Sequence, residues 1–322
     1  MTKPTTFDPG LTQQYAGVLR RAINKDGSFN VARRGGSWRD IHPYLHMLNM
    51  GWPSFFGVVF LVYVIVNTLF AALYFLMGPG HLQGADSPDA GTRFLKDFFF
   101  SAHTLTTVGY GNIYPSSTEG NTLASLEALT GLLVIALATG LLFGRFSRPS
   151  ARLSFSERIL IAPYQESSSV QFRILNLRPN ILVETEATLI LMTVDGGSGV
   201  LQRKFEALKL ERNSIYFLAL AWTIVHPIDE TSPLYGKTQE DLERLQAEFL
   251  ILIKGFDDTF SQIVHTRYSY RYDEISWGAK FRPTFEIDEA GDMVLNVDRV
   301  GQHTILGPES LQPARPALGQ GS

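Results

Sequence analysis

Gly51 to Met77 contains no charged residue, and that run is longer than the roughly 20 residues an α-helix needs to cross the hydrocarbon core of a bilayer. In lipid such a segment has one low-energy conformation, because a helix pairs its interior amides within the segment itself. Asn121 to Phe146 is a second span, with Glu127 near its outer end and Arg145 and Arg148 at its inner end. Between the two, Gly78 to Gly91 is rich in Gly, Pro and Asp and reads as a loop outside the membrane. Thr92 to Thr106 is apolar in bulk (Phe94, Leu95, Phe98, Phe99, Phe100) but carries Arg93, Lys96 and Asp97 and is too short to cross. The consistent reading is a short helix that dips in and returns, with protein around it and its negative C-terminal end aimed at the residues after Thr106. Arg residues flank the membrane before the first span and after the second, whereas the intervening stretch holds Asp86, Asp89, Asp97 and Glu119 against Arg93 and Lys96. That bias places both termini in the cytoplasm, in a multi-pass protein of the inner or plasma membrane.

The short helix leads into Thr106-Thr107-Val108-Gly109-Tyr110-Gly111. With no charge and few groups for acid/base chemistry, this run must act mostly through its backbone. Gly109 and Gly111 take φ > 0 without a Cβ clash, and alternating them with Val108 and Tyr110 turns consecutive carbonyls to one side of an extended strand. A ladder of oxygens facing one axis can replace the water shell of a cation. Thr107 to Gly111 resembles the filter signature of potassium channels. The resemblance implies that the carbonyls of Thr107, Val108, Gly109 and Tyr110, with the Thr107 hydroxyl, hold dehydrated K+. K+ in the filter is the bound species expected, with no organic cofactor.

Residues 1–35 read as a flexible arm, and 36–50 as an interfacial helix in which Trp38, Ile41, Leu45 and Leu48 fall near helical spacing ahead of the first span. Residues 51–148 form the two-span pore domain. After Pro149 the pattern changes to period two. Phe172 to Leu177, Leu182 to Val194, Val200 to Leu210, Ile215 to Val225, Phe249 to Ile253 and Phe281 to Ile287 read as strands, interrupted by one short helix that Thr238 and Asp241 cap. The fold class is therefore an α-helical membrane pore domain, two transmembrane helices plus a pore helix, followed over 149–307 by an all-β immunoglobulin-like sandwich in the cytoplasm. Gly196-Gly197-Ser198-Gly199 lacks the strand, helix and Lys of a phosphate cradle and reads as a hairpin turn, and 308–322 as a disordered tail. Net charge is −3 with no basic cluster among aromatics, which argues against nucleic acid, and the chain has no Cys. Its seven His are scattered, so no nucleophile, base and acid can be grouped, and an enzyme is not expected.

The soluble half resembles the cytoplasmic domain of inward-rectifier potassium channels at Asn176-Leu177-Arg178, Leu182-Val183-Glu184, His226 to Tyr235 and Asp273 to Gly278. The short N-terminus and absent Cys resemble the bacterial branch. The resemblance implies a homotetramer with a central pore. Along the second span Leu132, Ile135, Thr139 and Phe143 share one face. Ile135, Thr139 and Phe143 would line the pore, Phe143 as a constriction, and His265 to Tyr272 would form a lower loop gate. The resemblance also implies that Arg39, Arg145, Arg148 and Arg152 bind anionic lipid such as phosphoinositide, and that Glu184 and Asp258 are cytoplasmic pore acids. Mg2+ or polyamine blockers would bind weakly, because the family's acidic cavity position falls here on Ile135. Two spans without a ladder of Arg argue against a voltage sensor, although voltage-gated channel is among the class labels the resemblance brings. His103 stands where the family usually carries Glu, and no Arg closely follows the filter, so the acid-to-Arg brace of eukaryotic relatives cannot form. The alternative function is a membrane-anchored β-sandwich sensor with a non-conducting pore.

Overall fold

In the computed structural model the described residues are 10–11, 14–15, 21–31, 35, 42–147, 151–195 and 201–311. They fall into two compact units, 33–148 and, together, 1–32 with 149–322. In chain order the elements open with a two-residue strand, β1 (Gln14–Tyr15). The membrane unit is next, with α1 (Pro43–Asn49), α2 (Trp52–Met77), β2 (Leu82–Gln83), α3 (Ala90–Leu105), β3 (Tyr114–Pro115) and α4 (Thr118–Phe146). Over their most apolar 18-residue stretches α2 and α4 reach mean hydropathies of 2.4 and 2.1, and both are long and apolar enough to cross a membrane. Asp89 caps α3 by accepting from the Thr92 amide, and Ser117 caps α4 by accepting from the Gly120 amide. Of the interfacial helix, residues 36–41 lie outside the described residues, and the helical turns begin at Pro43, where a missing N–H costs nothing.

The second unit continues with β4 (Leu153–Phe155), β5 (Ile159–Tyr164), β6 (Ser167–Asn176), β7 (Leu182–Asp195), β8 (Leu201–Leu208), β9 (Ser214–Leu218), β10 (Ala221–Ile228), α5 (Gln239–Arg244), β11 (Glu248–Asp257), β12 (Gln262–Arg271) and β13 (Ile275–Trp277). Two short hairpin-like pairs complete it, β14 (Ala279–Phe281) with β17 (His303–Ile305) and β15 (Phe285–Ile287) with β16 (Met293–Leu295). One sheet runs β1-β8-β7-β11-β12 with β9 also on β7, and the other runs β10-β6-β5-β13 with β4 also on β6. Their inner faces meet in a core of residues such as Phe172, Ile174, Leu189, Leu191, Phe249, Ile251 and Tyr270. The capping box of α5 forms as expected, with Thr238 accepting from the Asp241 amide and the Asp241 carboxylate taking the Thr238 amide.

Several strand expectations change. Ile215 to Val225 is two strands, β9 and β10, which pair with different sheets across the break at Ala219 and Leu220. Phe281 to Ile287 is broken at Arg282-Pro283-Thr284, because Pro283 has no amide to donate to a ladder. His265 to Tyr272, expected as a loop, is strand as far as Arg271, paired along its length with β11, and it buries Tyr268 and Tyr270 in the core. The turn in that hairpin is at 258–261 instead. The Gly196 to Gly199 turn and residues 312–322 of the tail lie outside the described residues, and Pro308–Leu311 forms a short 3-10 turn.

The described part of the N-terminal arm is docked on the sandwich. Glu248, buried at the start of β11, accepts from the Ala22 amide through both carboxylate oxygens, at 3.0 and 3.1 Å, and from the Ile23 amide at 3.5 Å. Ser269 donates to the Ile23 carbonyl at 2.7 Å, and Ala22 and Ile23 pack with Met192, Phe205 and Leu250. Burial pushes the Glu248 carboxyl above its ordinary range, against the pull of those amides. Lys25 and Arg21 both pair with Glu274, which also takes the Arg271 amide at 2.9 Å. Replacing Glu248 with Ala leaves two buried amides unpaired, at about 1–3 kcal/mol each. Glu248→Ala is therefore expected to release residues 21–31, seen as faster proteolysis and faster amide exchange there while the sandwich core stays protected.

Candidate functional site

The site is assembled where α3 ends. Its last turn passes into Thr106, whose hydroxyl donates to the Ala102 carbonyl at 2.6 Å, and the Thr107 amide donates to the Thr104 carbonyl at 3.0 Å. The His103 carbonyl then accepts from two successive amides, Val108 at 2.9 Å and Gly109 at 3.2 Å. From there φ is positive at every second residue: 60° at Thr107, 57° at Gly109 and 80° at Gly111, but not at Val108 or Tyr110. The two glycines behave as expected. Thr107 does not, since a β-branched residue with positive φ is strained and persists only where its surroundings impose it. Such alternation is the backbone condition for turning successive carbonyls to one side. Val108 and Tyr110 are exposed on the single chain, and the Tyr110 ring meets the His103 imidazole edge to face at 4.7 Å between centroids. His103 thus touches the Thr107 to Gly111 segment twice, through its carbonyl and through its ring.

At the end of α3, helix α4 approaches it closely. An ideal Cβ on Gly131 of α4 would lie 2.1 Å from the Leu105 carbonyl oxygen, so α4 is seated against the last residue of α3 through a glycine. One turn earlier, Glu127 is buried and bonds Ser101 of α3 and, at 2.7 Å, Tyr74 of α2. In the sequence Glu127 is a lone acid near the outer end of a span. Its partners are 26 and 53 residues away, and only three-dimensional packing brings them together.

Leu132, Ile135, Thr139 and Phe143 all lie exposed on α4, Phe143 with 72 % of its surface free. Arg39 and Arg148 lie outside the described residues. Arg145 is committed within the membrane unit: it donates to the Met47 and Met50 carbonyls at the C-terminal end of α1, and its guanidinium stacks on Trp52 and Phe55 at 4.5 and 4.6 Å. Arg152 is exposed in the other unit. There Glu184 has φ 48°, beside the register shift between Lys254 and Phe256, and Asp258 is exposed in the turn after β11. Because Asp257 pairs with Leu182, both acids stand at the same end of the sheet. No group of three or more His, Cys, Asp or Glu that could hold a metal occurs among the described residues.

Residues 54–148 match the family described as ion channel, and residues 153–309 match the inward rectifier potassium channel C-terminal domain. The chain is 36% identical over 283 residues to the inward rectifier potassium channel Kirbac3.1 of Paramagnetospirillum magnetotacticum, covering 87% of this chain and 94% of that one. It is 27% identical over 293 residues to the human G protein-activated inward rectifier potassium channel 3, with 84% and 74% covered. To the rat inward rectifier potassium channel 4 it is 30% identical over 234 residues, with 64% and 50% covered. The label of voltage-gated channel does not fit these matches.

Proposed function

The chain belongs to the inward rectifier potassium channel family, and from that premise we propose that it forms a homotetrameric, potassium-selective pore whose filter is Thr107 to Gly111. The observation that carries the proposal is the sign alternation of φ from Thr107 to Gly111, directly after a helix that ends between two membrane spans. Carbonyls of Thr107, Val108, Gly109 and Tyr110, with the Thr107 hydroxyl, would replace the water shell of K+ from four sides. The C-terminal end of α3 adds partial negative charge toward the cation. Potassium flux into liposomes carrying the purified chain tests the reading.

Phe143 is the proposed upper gate, because four phenyl rings close to an axis form an apolar constriction that excludes water and ions. Phe143→Ala should raise basal potassium flux; unchanged flux would move the limiting gate below the membrane. There the proposed segment is the exposed β11–β12 turn at 258–261, because Tyr268 and Tyr270 are buried in the core. Both termini are proposed to be cytoplasmic. For anionic lipid, Arg39, Arg148 and Arg152 are the proposed ligands. Arg145 contributes by holding α1 to α4, its donors being already engaged with carbonyls.

Rectification is expected to be weak. Four carboxylates around a partly dehydrated cavity attract a polycation by several kcal/mol at an effective dielectric near 20, and four Ile135 side chains supply none of that. Glu184 and Asp258 are not sealed in such a cavity and are therefore more strongly screened. In planar bilayers we expect little voltage-dependent spermine block of the native channel and a large gain on Ile135→Asp. Steep native block, or no gain in the variant, would show that Ile135 does not face the cavity.

A further inference from the structure

Glu127 has no exposed surface, and ion selection by the filter carbonyls does not use it. Three helices bring polar groups to it. Tyr74 on α2 donates to Glu127 Oε2 at 2.7 Å, and Ser101 on α3 bonds Glu127 Oε1. Ser101 Oγ also lies 3.1 Å from Asn67 Oδ1, while Asn67 Nδ2 donates to the Tyr63 carbonyl at 2.7 Å. Asn67, Tyr74, Ser101 and Glu127 are all buried, at 2 % exposure or less.

Proton counting orders this cluster. The Tyr63 carbonyl only accepts, so it fixes the Asn67 amide with its oxygen toward Ser101. Ser101 then faces two acceptors with a single proton. The chain of bonds closes when Glu127 donates to Ser101, Ser101 to Asn67 and Asn67 to Tyr63, with Tyr74 donating to the second carboxyl oxygen. Glutamine offers the same pattern, an N–H donor for Ser101 and an acceptor for Tyr74.

The position of the cluster links it to the filter. Ser101 and Leu105 are one turn apart on α3, as are Glu127 and Gly131 on α4, so each pair shares a face. The helix α4 therefore meets α3 twice, by hydrogen bond at Ser101 and by close approach at Leu105, and the filter begins two residues later. We propose that Glu127, acting through Ser101 and Tyr74 as a hydrogen-bond donor and acceptor rather than as a charge, is a positioning residue for the selectivity filter. It sets the depth and rotation of α3 against both spans, and thereby the aim of the filter carbonyls. The proposal rests on the potassium-channel reading, which native flux tests separately.

The test is the potassium-to-sodium permeability ratio of the purified full-length channel in planar bilayers, read from bi-ionic reversal potentials. Glu127→Gln should keep the ratio within about twofold of native, while Glu127→Ala should lower it by roughly tenfold or more, the scale of one buried hydrogen bond lost. If Glu127→Ala does not assemble, Tyr74→Phe and Ser101→Ala, each removing one oxygen, should lower the ratio severalfold in folded tetramers. A Glu127→Gln channel as impaired as Glu127→Ala would overturn the neutral-donor account. Folded Glu127→Ala channels, or folded Tyr74→Phe and Ser101→Ala channels, with native ratios would overturn the positioning role. If native protein carries no barium-sensitive potassium flux, the channel reading itself fails, whatever the variants do.

Discussion

Gly131→Ala is expected to abolish selective potassium flux and to lower the yield of assembled channel. The added methyl would stand 2.1 Å from the Leu105 carbonyl oxygen, 2.8 Å from its carbon and 3.0 Å from the Leu105 Cα. All three are backbone atoms and cannot rotate aside as a side chain would. Either α4 or α3 must move, and α3 ends at that residue. Overpacking costs about 1–3 kcal/mol where surroundings yield, and more where they do not. In the proposed tetramer the cost falls four times around one axis. Size-exclusion chromatography with liposome flux reads the outcome. A Gly131→Ala channel that assembles and selects potassium as the native protein does would show that α4 is not seated on Leu105.

Gly109→Ala should also destroy selectivity, by a different route. Nothing lies within 4 Å of a Cβ built at Gly109 on the single chain, so the methyl meets no clash there. The penalty is torsional: φ is 57°, and an L-residue with a Cβ gives up about 1–2 kcal/mol in that left-handed region. Relaxing toward negative φ would turn a carbonyl away from the axis in each subunit. Assembly should survive, since the filter carries little of the packing, while the potassium-to-sodium permeability ratio collapses. The two variants thus separate by the state of the protein: Gly131→Ala loses channel, and Gly109→Ala keeps channel but loses discrimination. An assembled Gly109→Ala channel with native selectivity would refute the backbone account of the filter.

The membrane half is largely legible in the sequence because its signals are local. Charge-free length marks α2, a long apolar run marks α4, and the positive φ at Gly109 and Gly111 is expected from the glycines themselves. Strands are legible where alternation is uninterrupted, as along Leu182 to Asp195. They are missed where one apolar run serves two sheets: Ile215 to Val225 keeps a strand-like composition throughout, and nothing in it signals that Leu218 pairs on β7 while Ala221 pairs on β6. His265 to Tyr272 mixes polar and aromatic residues, and its reading as a loop rests on the family resemblance rather than on its own pattern. Local pattern does not supply the contacts between distant polar groups. Glu248 clamps amides 225 and 226 residues away, Arg145 holds carbonyls 95 and 98 residues away, and Glu127 reaches two other helices. In sequence Arg145 and Glu127 are charges near a membrane boundary and Glu248 is an acid at the start of a strand. The role of each comes from the groups it is packed against.

The measurement that bears most directly on the filter is potassium flux into liposomes reconstituted with the purified full-length chain, with sodium as the competing cation and barium as blocker. The filter account predicts flux that selects potassium over sodium and that barium abolishes. A folded, tetrameric protein that passes no potassium, or passes sodium equally well, would contradict it.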